Sequence, residues 1–145
     1  MILKIERKRP NVNIPKKGTP GSAGLDLCAY IDHPLILTPG HMITVPTGIA
    51  IELPSNEYAG FIFARSGLGT KYGIALSNGV GIIDSDYRGE IFVGLSNVSS
   101  KNYQIEPGER VAQLIVMPIA NLQLMEVDSL SPTERGMNAF GSTGK

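Results

Sequence analysis

Residues 78 to 90 read NGVGIIDSDYRGE: an apolar run, two carboxylates, an aromatic ring and an arginine set between glycines. Core filling alone does not call for Asp84, Asp86, Tyr87 and Arg88 in such close succession. A plain turn does not call for Val80, Ile82 and Ile83. Those three apolar residues predict a strand, and the Asp-Ser-Asp-Tyr-Arg-Gly after them predicts a tight reversal. Residues 90 to 97, EIFVGLSN, then resume a strand with Ile91, Val93 and Leu95 on one face. The expected product is a β-hairpin whose mouth exposes main-chain donors and acceptors. Such a mouth suits a planar base, with a carboxylate and a ring beside it.

Working outward, the rest of the chain carries the same β signature. Its 145 residues suit one domain with a single core, and 17 Gly with 10 Pro predict many turns between short strands. Pro39-Gly40 separates Leu35–Thr38 from His41–Val45, and Pro107-Gly108 separates Asn102–Ile105 from Arg110–Ile119. In each pair Pro presets φ and Gly accepts a positive φ. Further strands are expected over Thr47–Leu53, Tyr58–Ala64 and Asn121–Val127, and at most a short turn of helix over Ser66–Tyr72. The predicted class is all-β, a jelly-roll-like β-barrel. Residues 1–130 form the β domain. Residues 131–145, rich in Gly, Ser, Thr and Asn, form a flexible C-terminal arm that moves unless something binds it.

Composition narrows the function classes. The formal charge is zero, which argues against a nucleic-acid polymer as partner, and the basic opening residues carry no interleaved aromatics. The one cysteine, Cys28, forms no intrachain disulfide; it reads as a small core residue in a reducing compartment. No Cys/His cluster has metal-ligand spacing. No apolar run spans a bilayer and the N-terminus is too charged for a signal peptide, so no membrane association and a cytoplasmic location are expected.

Four further segments can carry chemistry. ARSGLGTKYG (64–73) sets an arginine and a hydroxyl among glycines, a combination suited to phosphate, although a plain loop is the commoner use. In SAGLDLCA (22–29), alternation turns Asp26 away from Leu25 and Leu27, toward ligand or water. In RVAQLIV (110–116), Gln113 shares a face with Val111 and Ile115 and needs a backbone or substrate partner. RGMNAFGSTGK (135–145) adds an arginine, a ring and two hydroxyls. His33 and His41 lie beside no candidate nucleophile. Local residue chemistry does not choose between Asp84 and Asp86 as a base, and either is able to cap a turn instead.

Taken in order, AGLDL (23–27), RSGLG (65–69), NGVGIIDSDYRGE (78–90), GERVAQLIV (108–116) and RGMNAFGSTG (135–144) resemble the trimeric dUTP diphosphatase (dUTPase) family. The resemblance implies a homotrimer with shared sites and Mg²⁺-dependent hydrolysis of dUTP to dUMP and pyrophosphate. It implies that Asp84 is the general base for water attack on the α-phosphorus. The 78–90 segment, with Asn78, Gly81 and Ile83, would bind uracil through main-chain groups, and Tyr87 would pack on the deoxyribose. Arg65, Ser66, Gly67 and Gln113 would hold the phosphates. Asp26 would position Mg²⁺ through a water. The arm would close over the nucleotide, with Phe140 stacking on uracil while Arg135, Ser142 and Thr143 engage the γ-phosphate, and with Gly141 also at the substrate. Two departures stand out: Asn138-Ala139 occupies a place where the family usually has Gly-Gly, and Ala64 one where Pro often precedes the arginine. The alternatives are a dCTP deaminase of the same fold and a nucleotide-binding regulator without turnover.

Overall fold

The fold is given by a computed structural model, which describes residues 1–137. Eleven strands and one short helix follow one another along the described residues. They are β1 (Lys4–Arg7), β2 (Leu25–Cys28), β3 (Leu35–Leu37), β4 (Met42–Pro46), β5 (Ile49–Glu52), β6 (Tyr58–Phe63), α1 (Ser66–Tyr72), β7 (Ile74–Leu76), β8 (Gly81–Ile83), β9 (Phe92–Asn97), β10 (Tyr103–Ile105) and β11 (Arg110–Pro118).

The strands pair as β1-β5, β10-β3, β4-β9-β7 and β2-β11-β6-β8, every ladder antiparallel. No two consecutive strands pair with each other among the described residues. Turns therefore carry the chain from one sheet to another, and the stacked sheets close over one core, as in the jelly-roll-like fold. The two Pro-Gly turns do this with positive φ at Gly40 (73°) and Gly108 (75°), as their residues predict.

The same rule corrects the hairpin expected over 78–97. β8 pairs only with β6, whereas β9 lies between β4 and β7 in the other sheet. The residues between them form an arch across the sandwich. Ile91, Val93 and Leu95 do share one face, each 1% exposed. Burial of each contributes about 1.5–3 kcal/mol, enough to pull β9 onto the core and away from β8. A second correction concerns 121–127. This segment forms no strand, and Leu122, Leu124 and Met125 are exposed, because no ladder partner is available within the described chain.

Asn97 ends β9 inside the core at 1% exposure. Its amide nitrogen donates to the carbonyls of Leu37 (2.8 Å) and Lys101 (2.7 Å). Its oxygen accepts from the Ser99 N–H (2.9 Å) and hydroxyl (2.7 Å). A buried amide with every position satisfied pins the 98–102 loop to the sheet.

Candidate functional site

The four-stranded sheet carries two half-sites. The first gathers at the β2 edge. Asp26 on β2 pairs in register with Gln113 on β11, which pairs with Phe63 at the end of β6. Arg65 follows two residues later as the extended N-cap residue of α1. Arg65 Nε donates to Asp26 Oδ1 at 3.2 Å, and Arg110 Nη1 donates to Asp26 Oδ2 at 3.0 Å. Arg65 Nη1 also donates to the Arg110 carbonyl at 3.1 Å. One carboxylate thus fixes two guanidinium groups, and each keeps N–H donors directed elsewhere.

Gln113 Nε2 donates to the Ala64 carbonyl at 3.0 Å, so its amide finds the backbone partner that the sequence left open. A register shift between Arg110 and Ala112 puts Val111 into the core. Gln113 therefore shares its face with Ile115 and not with Val111. Gly24 sits against the Gln113 side chain, where a Cβ would come within 2.8 Å of Oε1. Asp26, Arg65, Ser66, Gly67, Arg110 and Gln113 line one polar cleft, with Gly18, Ser22 and Gly24 completing it. Ser66 and Gly67 are exposed at its mouth. Arg110 is the member that the sequence reading missed. Its signal was the pairing of Arg110 with Cys28 beside Asp26, a register no single strand reveals.

Cys28 is half-buried, and so departs from the core position expected for it. It faces a neighbouring cleft with Lys16, Lys17 and Arg110. Burial, and then the nearby Asp26 charge, raise its thiol pKa, which disfavours the reactive thiolate.

The second half-site lies at the opposite edge of the same sheet. β8 is an edge strand, paired through Gly81 with Ile62 and through Ile83 with Gly60. Its outer peptide groups face away from β6 and remain available to a ligand. Ile83 belongs to the core cluster, so its side chain is turned inward. Asn78 is exposed in the turn before β8. Asp84 is exposed just after it, and its carboxylate meets no hydrogen-bond donor among the described residues. The turn is braced by its own backbone: Tyr87 N–H donates to the Asp84 carbonyl at 3.2 Å. Arg88 Nη1 donates to the Ser85 and Tyr87 carbonyls at 2.8 and 2.9 Å. The Tyr87 hydroxyl donates to the Glu90 carbonyl at 2.8 Å.

The register separates the halves. Ile83 lies opposite Gly60, near the start of β6, and β8 runs on toward Ala59, whereas Arg65 follows the end of β6. At about 3.3 Å per residue and 4.8 Å per strand, Asp84 stands roughly 15–20 Å from Arg65 and from Asp26 of the same chain.

Among the described residues no three acidic, histidine or cysteine side chains converge on a metal position, and both Asp26 oxygens are held by arginines. The described chain offers no coordination set of its own. Arg135 lies in an exposed stretch without regular secondary structure; Phe140, Gly141, Ser142 and Thr143 lie outside the described residues, as does Asn138-Ala139. No helix among the described residues is long and apolar enough to cross a membrane.

The dUTPase family profile matches residues 10–144. A deoxyuridine 5'-triphosphate nucleotidohydrolase of Desulfitobacterium hafniense is 48% identical over 138 residues, covering 95% of this chain and 91% of the relative. One of Blochmanniella pennsylvanica is 52% identical over 128 residues, covering 88% and 86%. Among solved structures, a mutant dUTPase of Staphylococcus bacteriophage 80alpha with dUpNHpp superposes with a TM-score of 0.84 at 24% identity, covering 99% of both chains. A mutant dUTPase from phage phi11 of S. aureus, described with a coordinated structural Mg(II) ion, gives 0.79 at 22% identity, covering 89% of this chain and 98% of that one. These structural likenesses concern the fold.

Proposed function

The chain belongs to the dUTPase family, and on that premise we propose that it hydrolyses dUTP to dUMP and pyrophosphate, with water attacking the α-phosphorus. The observation that carries this reading is the cleft in which Asp26 holds Arg65 and Arg110 beside Ser66, Gly67 and Gln113. A fixed, forked, cationic surface with small residues around it is what a polyphosphate requires.

In this reading the free edge of β8 recognises uracil. Peptide groups fixed by the β6 ladder form a rigid pattern of donors and acceptors. A base with the wrong edge leaves them unpaired, at a cost of about 1–3 kcal/mol per group. Asn78 adds an amide at the turn. Tyr87 packs on the deoxyribose and leaves no room for a 2′-hydroxyl. Asp84, exposed and without a donor among the described residues, orients a water and takes its proton. Arg65, Ser66, Gly67 and Gln113 bind phosphate oxygens and neutralise developing charge. Mg²⁺, when bound, supplies further charge neutralisation on the triphosphate. It would be carried by the nucleotide, and Asp26, whose own oxygens already hold guanidinium donors, would meet it through water.

The roughly 15–20 Å between Asp84 and the arginine cleft supports a site completed by other copies, in a homotrimer. Asp84 of one chain does not reach a phosphorus held by Arg65 of the same chain. Exposed Leu122, Leu124, Met125 and Leu130 supply apolar surface for such contacts. The 131–145 arm then closes over the nucleotide, with Phe140 on uracil, Arg135, Ser142 and Thr143 at the γ-phosphate, and Gly141 beside them at the substrate.

The test is pyrophosphate release from dUTP, with dCTP as control. Ammonia from dCTP, without pyrophosphate from dUTP, identifies a deaminase instead. Sharing is tested by co-refolding Asp84→Asn with Arg65→Ala chains. Mixed assemblies should regain activity that neither parent has; no recovery means that each chain completes its own site. Truncation before Arg135 should leave the β domain folded while hydrolysis is lost. Full activity after truncation removes the arm from the mechanism.

A further inference from the structure

The geometry points to Arg9 and Glu90 as positioning residues that set the ring of Tyr87, and so the rejection of ribonucleotides, from outside the site. The inference rests on the reading that Tyr87 meets the sugar. Glu90 is gripped along its whole length. Its carbonyl accepts the Tyr87 hydroxyl at 2.8 Å. One carboxylate oxygen accepts the Gly48 N–H at 2.8 Å. The other accepts Arg9 Nε and Nη2 at 3.2 and 3.0 Å. The Glu90 side chain is only 13% exposed, so this carboxylate is sheltered and its partners decide where it sits.

Arg9 is itself held. It follows β1, the Lys8 N–H donates to the Gly48 carbonyl at 2.8 Å, and the Arg9 guanidinium stands 5.5 Å over the Tyr30 ring. Behind Glu90, the Ile91 N–H donates to Ile49 and the Ile91 carbonyl accepts from Thr47, so the chain cannot slide. Gly89 completes the arrangement from the other side. A Cβ there would lie 2.3 Å from the Tyr87 hydroxyl and 2.5 Å from its ring carbon Cζ. The ring folds back onto Glu90 only because residue 89 has no side chain.

A rigid ring is what discrimination against one extra hydroxyl needs. A wall that yields admits the larger sugar at small cost, whereas a wall fixed at both ends does not. Arg9 lies 81 positions from Glu90 in sequence and outside the five matching segments. The N-terminal strand thereby stiffens the sugar wall without touching the nucleotide.

The experiment compares the parent with Arg9→Met, Arg9→Lys and Gly89→Ala, reading kcat/KM for dUTP and for UTP. Arg9→Met should lower the dUTP-to-UTP ratio by about tenfold, chiefly by admitting UTP, with kcat for dUTP held within about twofold. Arg9→Lys should restore part of the ratio, and Gly89→Ala should lower it from the opposite side. Amide exchange across residues 84–90 should quicken in Arg9→Met while the melting temperature stays near that of the parent. A ratio within twofold of the parent, or equal losses on both nucleotides, overturns the inference. A parent inactive on dUTP overturns the functional reading and the sugar-reading role with it. Unchanged exchange in an active parent overturns the positioning role alone.

Discussion

On the proposed reading, the two edges of the four-stranded sheet meet a ligand in different ways. At the β2 edge the work falls to side chains: two guanidiniums and one carboxylate tied by charge-assisted bonds of 3.0–3.2 Å, and one amide that donates to the Ala64 carbonyl at 3.0 Å. At the β8 edge it falls to the backbone, and the side chains mostly hold the loop in shape. Phosphate is recognised by charge, and charge tolerates variation in position. A base edge is recognised by a pattern, and a pattern requires a rigid frame. The contrast teaches that mutations at the first edge should act on affinity and charge, while those at the second, the base Asp84 apart, should act on geometry and choice of substrate.

The sharpest way to break this contrast is Asp84→Asn. It alters the one β8-edge carboxylate assigned to chemistry, and hydrolysis of dUTP should fall by about 10²-fold or more. Binding of a non-hydrolysable dUTP analogue should stay near the parent level, measured by calorimetry. Unchanged turnover removes Asp84 from the base role. Next comes Asn97→Ala, which strips the core of an amide with four satisfied bonds. Stability should drop by about 2–4 kcal/mol in denaturant unfolding, with KM for dUTP little changed, because neither edge is touched. A large KM effect would show that the 98–102 loop communicates with the site.

Asp26→Asn weakens the clamp on both arginines. KM should rise about tenfold and stability should fall by about 1–2 kcal/mol, with the dUTP-to-dCTP preference preserved. Loss of base preference would contradict the division of labour between the edges. The smallest effect concerns Tyr103, whose pKa is raised first by burial and then by its hydrogen bond to Glu109. A phenol with a raised folded-state pKa favours folding while protonated. That contribution is complete below the unfolded value near 10 and is lost as pH climbs through the folded one. Tyr103→Phe should therefore flatten the decline in stability above about pH 10, followed by thermal melting; an unaltered slope would assign the decline to other groups.

Much of this molecule is legible in its residues. Pro39-Gly40 and Pro107-Gly108 announce their turns because Pro and Gly constrain φ locally. The alternation of Ile91, Val93 and Leu95 announces a buried face. The short helix falls on Ser66–Tyr72, as expected. Asp26, Arg65, Ser66, Gly67 and Gln113, expected from three separate segments, do share one cleft. What escaped was pairing. Residues 78–97 read as a hairpin because two strand-like runs flank a reversal, yet β8 and β9 lie in different sheets. Asn121–Val127 has strand composition but no ladder partner within the described chain. Arg110 was passed over because its tie to Asp26 spans 84 positions.

By itself the sequence determined that the chain is all-β, where it turns, which faces are apolar and to which family it belongs, since each of these is written in neighbouring residues. Only the tertiary structure decided which strand lies beside which, that the two half-sites sit at opposite edges, and that Glu90 is held by Arg9. The reason is physical: a strand's propensity is local, but its hydrogen-bonding partner is chosen by how the whole apolar surface closes against water.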